Sequence, residues 1–162
     1  MRETAIFSVL LLFFTAFAAA VPAAELLVPS LYPTIQSAIN DAHPGDEVVV
    51  EDGVYTGKGN RNLDFLGKTI TVRSQSNAPA DCIIDCSGGI GNIRAFNFHG
   101  DEGPNSVVSG FTIRNGHALD GGGVRCEPGA SPTITGCVFE NNQALGSSNG
   151  GAVCANDSLV IN

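Results

Sequence analysis

The sequence predicts an all-β protein, a parallel β-helix (solenoid) in which each coil of the chain stacks on the coil before it. The first observation is a repeat: the segment SVVSGFTIRN at 106–115 returns 26 positions later as PTITGCVFEN at 132–141. The second is the repeated unit itself, a short apolar strand followed by Gly and Asn, which is typical of solenoids. Like residues then lie above like residues at ~4.8 Å. The positions predicted to stack are Phe111 on Cys137, Ile113 on Phe139 and Asn115 on Asn141.

The segment 1–24 is predicted to be a secretory signal peptide rather than a part of the fold. A short positive start precedes an apolar run from Ala5 to Ala20, and small residues suited to cleavage follow between Ala20 and Ala24. The strongly apolar stretch is shorter than the ~20 residues that a membrane span needs. We therefore expect a secreted or cell-surface protein whose mature chain, 25–162, has no transmembrane segment.

One short helix is predicted at 32–42, near the start of the mature chain. Pro33 suits a first helical turn. An apolar face at i, i+3, i+4 and i+7 is formed by Ile35, Ala38, Ile39 and Ala42. Strands are then predicted at 47–51, 66–73, 82–86 and 95–98.

A parallel solenoid explains these strands better than the other β architectures do. No helical pattern follows residue 42, which disfavours a βαβ sheet because its crossovers are usually helical. In an antiparallel sandwich, successive strands have no reason to share a motif at matching positions. The connections are rich in Gly, Asn, Ser and Pro and are interpreted as turns within one domain.

The glycine corners at 121–123 and 150–151 are 29 positions apart, three more than the strands. We interpret the difference as a longer loop in the second repeat, and we expect the glycines to permit φ > 0 and the stacked asparagines to satisfy one another's amides. This register places Cys154 beside Arg125, facing outward, and Cys126 inward. A gapless shift of 28 would instead align Cys126 with Cys154 and suggest a disulfide bridge between coils. We prefer the glycine register, in which this bridge is not expected.

The five cysteines and the charge exclude some classes of function. An odd number of cysteines leaves one over in an oxidising compartment, and their spacing contains no metal-binding motif. We interpret them as small core residues. The chain has a net charge of −8 and its basic residues are scattered, so no nucleic-acid partner is expected, because such a partner calls for a basic face.

The sequence ends as another strand begins. Val160 falls 26 positions after Ile134, which predicts that it repeats Ile134. A solenoid needs a cap on its last coil. We therefore expect 25–162 to be the N-terminal part of a longer β-helix domain, truncated at its C terminus.

Several phrases of the sequence resemble motifs of the pectin-lyase-like superfamily, and especially of secreted β-helix repeat proteins of environmental bacteria. They are YPTIQSAI at 32–39, GKTITV at 67–72, CIIDC at 82–86, GFTIRNG at 110–116 and SPTITGC at 131–137. The resemblance implies a right-handed β-helix in which the short helix is an N-terminal cap. The phrases FENN at 139–142 and GGAV at 150–153 also resemble repeats of chlamydial polymorphic outer membrane proteins, which are surface adhesins.

The resemblance also implies candidate site residues. Lyases of the superfamily hold calcium with acidic side chains and use an Arg or Lys as base, and its hydrolases use paired carboxylates. The calcium candidates in this chain are Asp101, Glu102 and Asp120. The catalytic candidates are Arg114, Arg125, His117 and Asp120. The alternative interpretation is that they are surface arginines and solvated turn residues.

Two functions from different classes follow. The first is a non-catalytic β-helix that presents a long face to polysaccharides or cell-surface glycans as a binding or adhesive scaffold. The second is the N-terminal part of a polysaccharide lyase or glycoside hydrolase whose active coils lie beyond Asn162. Neither hypothesis names the substrate or ligand.

Overall fold

The computed structural model describes residues 22–89, 91–146, 150–155 and 160–161, and in these ranges the chain is a parallel β-solenoid of about five turns. The predicted parallel solenoid is therefore confirmed. Most of the predicted signal peptide, 1–21, lies outside the described residues. The first strand begins at Glu25.

Strands from successive coils line up as the walls of the solenoid. In chain order the elements are β1 (Glu25–Val28), α1 (Ile35–Asp41), β2 (Glu47–Val50), β3 (Gly53–Tyr55), β4 (Thr71–Ser74), β5 (Cys82–Asp85), β6 (Phe96–Phe98), β7 (Val107–Ser109), β8 (Thr112–Arg114), β9 (His117–Ala118), β10 (Val124–Cys126), β11 (Thr133–Thr135), β12 (Val138–Glu140), β13 (Gln143–Ala144), β14 (Val153–Ala155) and β15 (Val160–Ile161). The sheets of the described ranges have the orders β1-β2-β4-β7-β11-β15, β3-β5-β8-β12, β6-β10-β14 and β9-β13. Neighbouring strands in these sheets are parallel.

The helix α1 begins at Ile35 rather than at residue 32 because Thr34 is its extended N-cap. The backbone N–H of Ser37 donates to Oγ1 of Thr34 at 3.2 Å, and Oγ of Ser37 accepts from the Thr34 N–H at 3.2 Å, which forms a capping box. The predicted apolar face is confirmed, since it is buried against β1 and β2. No helix in the described ranges is both long and apolar enough to cross a membrane.

The core consists of inward side chains stacked coil on coil. Ile84, Ile113 and Phe139 lie opposite one another on β5, β8 and β12, so the predicted stacking of Phe139 on Ile113 is confirmed. Phe111 and Ile113 are fully buried, whereas Cys137 and Phe139 are half-buried at the margin of the core. The strands supply these contacts because alternate side chains of each strand face the interior.

The predicted pairing of strands at the glycine corner is confirmed, whereas the predicted pairing at the end of the chain is wrong. Arg125 pairs with Cys154 between β10 and β14, at the predicted offset of 29. On β15, however, it is Ile161 that lies opposite Ile134, and Val160 lies opposite Thr133. The prediction that Val160 repeats Ile134 is wrong by one residue, because the coils differ in length at their corners.

The reason for the glycines at these corners differs from the predicted one. Gly121 has a φ of 52°, but Gly122 and Gly123 do not have positive φ. A Cβ on Gly122 would lie 2.6 Å from the carbonyl oxygen of Gln143, and a Cβ on Gly123 would lie 2.6 Å from that of Ala152. The backbones of adjacent coils therefore approach too closely here for any side chain, and this steric limit requires glycine.

Asparagines provide left-handed corners. Asn115 and Asn141 have φ values of 59° and 51°, a conformation that Asn tolerates better than most residues. The side-chain amide of Asn115 donates to Oδ1 of Asp85 at 3.0 Å. A carboxylate of the preceding coil thus accepts this hydrogen bond, in place of the predicted amide of the stacked asparagine.

The interpretation of the cysteines as core residues holds for those that face inward. Cys82, Cys86 and Cys126 are buried within the hydrophobic core. Burial raises the pKa of each of these thiols to about 12. Cys82, Cys86, Cys137 and Cys154 are free thiols in the structure, so the bridge between Cys126 and Cys154 that the alternative register suggested is not formed.

Candidate functional site

Two predicted catalytic residues, Asp120 and Arg125, meet on the outer face of the solenoid. Oδ2 of Asp120 lies 3.2 Å from Nε of Arg125, and its Oδ1 lies 3.4 Å from Nη2 of Arg94. The second arm of Arg125 reaches Glu127, with Nη1 at 2.7 Å from Oε1. We call Arg94, Asp120, Arg125 and Glu127 the arginine cluster.

The fold explains why the arginine cluster assembles. Arg125 occupies the middle of β10, so its side chain faces outward while Val124 and Cys126 face the core. Arg94 lies just before β6, the neighbouring strand, and only 6% of it is exposed. Burial lowers the pKa of Arg94, and Asp120 opposes this shift. Arg94 was not predicted as a site residue, because its sequence neighbours carry no motif.

These contacts disfavour Arg125 as a catalytic base. A catalytic base must be free to approach the proton that it removes. Nε of Arg125 lies 3.2 Å from Asp120, and its Nη1 lies 2.7 Å from Glu127. The arginine cluster combines two arginines with two carboxylates, so its formal charges balance within the wall.

Arg114 lies in a different sheet and belongs to a second network. Its Nε donates to Oδ2 of Asp85 at 2.9 Å, and the backbone N–H of Ser87 donates to Oδ1 at 2.9 Å. Burial alone would raise the pKa of Asp85, but hydrogen bonds from Asn115, Ser87 and Arg114 outweigh it and lower this pKa to about 2. The structure therefore does not bring Arg114 together with Arg125, and each arginine is held by its own carboxylates.

The calcium candidates do not converge. Glu102 is fully buried, and its carboxylate oxygens accept backbone N–H groups of Gly67 at 2.9 Å and Gly100 at 2.7 Å. Asp101 is exposed, and Asp120 lies in the arginine cluster. Within the described part of the chain, no three His, Cys, Asp or Glu residues are placed to hold a metal ion. Calcium binding stays a prediction.

The remaining candidate, His117, is exposed on β9. Its backbone exchanges two hydrogen bonds with Ile93, at 2.9 Å and 2.7 Å, in a short antiparallel bridge. This exchange positions the corner of the chain and leaves the imidazole at the surface. The structure does not bring the ring into the arginine cluster.

A groove that was not predicted lies beside α1 and has a volume of about 550 Å³. It is open to solvent and combines polar and charged side chains with two apolar ones. The residues that line it are Gln36, Lys58, Gly59, Arg61, Asn62, Asp64, Leu66 and Ile93. They come from α1, from the connection between β3 and β4, and from the residues before β6, so only the coiled tertiary structure brings them together.

The polar side chains of the groove are held in place before any ligand arrives. The amide of Gln36 donates to the carbonyl oxygen of Asp64 at 3.0 Å and accepts from its N–H at 2.9 Å. Nη1 of Arg61 donates to the carbonyl oxygens of Cys86 at 3.2 Å and Ser87 at 2.7 Å. Such preorganisation reduces the entropy that binding costs.

The carboxylate of Asp64 is also fixed. Its Oδ1 accepts the backbone N–H of Leu66 at 2.7 Å, and its Oδ2 lies 2.8 Å from Nε2 of His99. The hydrogen bond to Asp64 raises the pKa of His99. Lys58, by contrast, is exposed, so the groove offers an exposed cation, a fixed cation and a fixed carboxylate beside the apolar side chains of Leu66 and Ile93.

The chain was compared with protein-family models, with curated proteins and with solved structures, and none of them matches it.

Proposed function

We propose that this chain is part of a secreted or cell-surface β-helix protein that binds polysaccharide or cell-surface glycan at the groove beside α1, without catalysis. The observation that carries the proposal is the lining of the groove. Hydrogen-bonding groups fixed beside apolar surface suit ligands with hydroxyl groups and apolar ring faces. Lys58 and Arg61 add positive charge for the carboxylates of acidic sugars.

The proposal includes a right-handed coil of the pectin-lyase-like type with α1 as its N-terminal cap. Connections between parallel strands of one sheet are right-handed in ~98% of cases, which supports this hand. The apolar face of α1 packs against β1 and β2, the first strands of the largest sheet, which supports a capping role. The signal-like segment 1–24 supports secretion.

A non-catalytic role is favoured over the lyase or hydrolase alternative by the state of the candidate residues. Arg114 is held by Asp85, and Arg125 is held by Asp120 and Glu127. An arginine whose nitrogens already contact carboxylates of the wall is less free to approach a sugar. A direct assay tests whether this chain itself cleaves polysaccharide.

The glycan proposal predicts that the chain binds a polyuronate and that Lys58→Gln weakens this binding about fivefold, equivalent to about 1 kcal/mol. The reason is that the variant removes one exposed positive charge from the groove. Isothermal titration calorimetry with polyuronate oligomers measures the effect. Arg73→Gln is the matched control, because it removes the same charge from β4, where Arg73 pairs with Glu25 and Glu47.

Three results would contradict the proposal. The first is the absence of binding to any acidic or neutral glycan. The second is an equal loss of affinity in the Lys58→Gln and Arg73→Gln variants, which would mean that net charge alone attracts the polymer. The third is calcium-dependent cleavage, seen as absorbance of an unsaturated sugar product, which would establish the lyase alternative.

A further inference from the structure

Asp64 contributes the negative charge to the lining of the groove beside α1, in which Lys58 and Arg61 contribute the positive charges. A carboxylate at this position repels the carboxylates of an acidic glycan. The charge of Asp64 therefore weakens the binding of such a ligand unless a neighbouring group offsets it.

His99 is the neighbouring group that can offset this charge. Its Nε2 lies 2.8 Å from Oδ2 of Asp64. The two residues come from neighbouring coils, which the parallel bridge between Leu63 and Phe96 holds side by side. The side chains of His99 and Asp64 are 44% and 28% exposed, so the imidazole can exchange protons with solvent while the chain stays folded.

The surroundings of His99 favour its protonated form. The hydrogen bond to Asp64 raises the pKa of His99 above its ordinary value of 6.5, and the charge of the same carboxylate adds to this effect. Partial burial lowers this pKa, whereas the charges of Glu102 and Glu127 raise it. The imidazole therefore carries a positive charge at weakly acidic pH and loses it as the pH rises through the raised pKa.

We propose that the His99–Asp64 pair makes the groove sensitive to pH, so that acidic glycans bind more tightly at weakly acidic than at weakly alkaline pH. The proposal rests on the glycan binding proposed above. Protonation of His99 adds one positive charge to the set formed by Lys58, Arg61 and Asp64. By linkage, a bound acidic glycan must in turn raise the pKa of His99.

The first test is isothermal titration calorimetry with polyuronate oligomers at about pH 5.5 and about pH 8.5, a range in which the sugar carboxylates stay ionised. The wild type is expected to bind about threefold more tightly at the lower pH. In His99→Gln the ratio of the two affinities is expected to fall to about one, because the amide can donate to Asp64 but cannot gain a charge.

His43→Gln is the matched control. His43 is also an exposed histidine beside a carboxylate, with Nδ1 at 3.7 Å from Oδ2 of Asp46, but neither residue lines the groove. This variant is expected to keep the full pH dependence. A neutral glucan oligomer is the control ligand, and any binding of it to the wild type is expected to be equal at the two pH values.

The second test needs no substitution, so it holds even if a variant is unstable. The pKa of His99 is measured by NMR titration of its ring signals with and without polyuronate. Saturation with polyuronate is expected to raise this pKa by about 0.5, which corresponds to about a threefold change in affinity.

The outcomes separate this proposal from the glycan binding on which it rests. Equal polyuronate affinities at the two pH values, together with an unchanged pKa of His99, would overturn the pH effect and leave glycan binding intact. A pH dependence that persists in folded His99→Gln would assign the titration to another group and would also overturn it. Failure of polyuronate to bind at either pH would contradict acidic-glycan binding itself, and the pH effect with it.

Discussion

Replacing Gly116 by Ala is expected to lower the free energy of unfolding by at least about 3 kcal/mol. A Cβ at this position would overlap the carbonyl oxygen of Gly122 and lie 2.6 Å from its carbonyl carbon. Both atoms belong to backbone, so no side-chain rotation can relieve the clash. The shift would also disturb the N–H of Gly116, which donates to Oδ1 of Asn142 at 2.9 Å. Denaturant unfolding followed by circular dichroism measures the loss.

Gly103→Ala is the matched control for this prediction. A Cβ on Gly103 would meet no atom within 4 Å, and its φ is not positive. Its free energy of unfolding is expected to stay within about 0.5 kcal/mol of the wild type. Similar losses in the two variants would mean that the close approach of the backbone at Gly116 does not limit the side chain there.

Asp85→Asn is expected to lower the free energy of unfolding by about 2 kcal/mol at neutral pH. The pKa of Asp85 is about 2 in the folded protein, whereas an unperturbed aspartate, which represents the unfolded chain, has a pKa of 3.8. Because the folded pKa is the lower one, the ionised carboxylate stabilises the fold fully above pH 3.8. This stabilisation is lost as the pH falls from 3.8 through about 2.

The measurement is a series of denaturant unfolding curves between neutral pH and about pH 2. The difference between wild type and Asp85→Asn should shrink toward the acid end, since the carboxylate of Asp85 is increasingly protonated there. Asp101→Asn is the control, because Asp101 is an exposed carboxylate; it should change the stability by no more than about 0.5 kcal/mol. A difference between wild type and Asp85→Asn that is constant with pH would show that the carboxylate charge of Asp85 is not what stabilises the corner.

The repeat explains how much of the fold could be predicted. Phe139 lies over Ile113, and Cys154 lies beside Arg125, as the two offsets of 26 and 29 required. These predictions held because side chains alternate along a strand and parallel coils stack in register, so a sequence offset translates directly into a spatial one. The error at Val160 arose where the length of a corner changed.

The reason for particular residues was less predictable than their positions. Gly122 and Gly123 were expected to permit unusual backbone angles, and they are required instead by the approach of the next coil's backbone. Asn115 was expected to bond to the stacked asparagine, and it bonds to Asp85. In both cases the deciding atom belongs to a different coil, about 20 to 30 residues away in sequence.

The candidate sites depended even more on tertiary structure. Asp120 and Arg125 were predicted individually, but Arg94, which completes the arginine cluster, had no sequence signal. The groove combines Gln36, Lys58 and Ile93 from three separate parts of the chain.

The sequence by itself determined the parallel solenoid, its inward residues and most of its register, because stacking repeats local patterns from coil to coil. The tertiary structure alone decided which charged side chains meet and which corner of the chain encloses the groove. Those contacts join side chains on different coils, and the lengths of the corners between them set which ones come together. A local sequence pattern does not show how long each corner is in space, and so it does not predict these contacts.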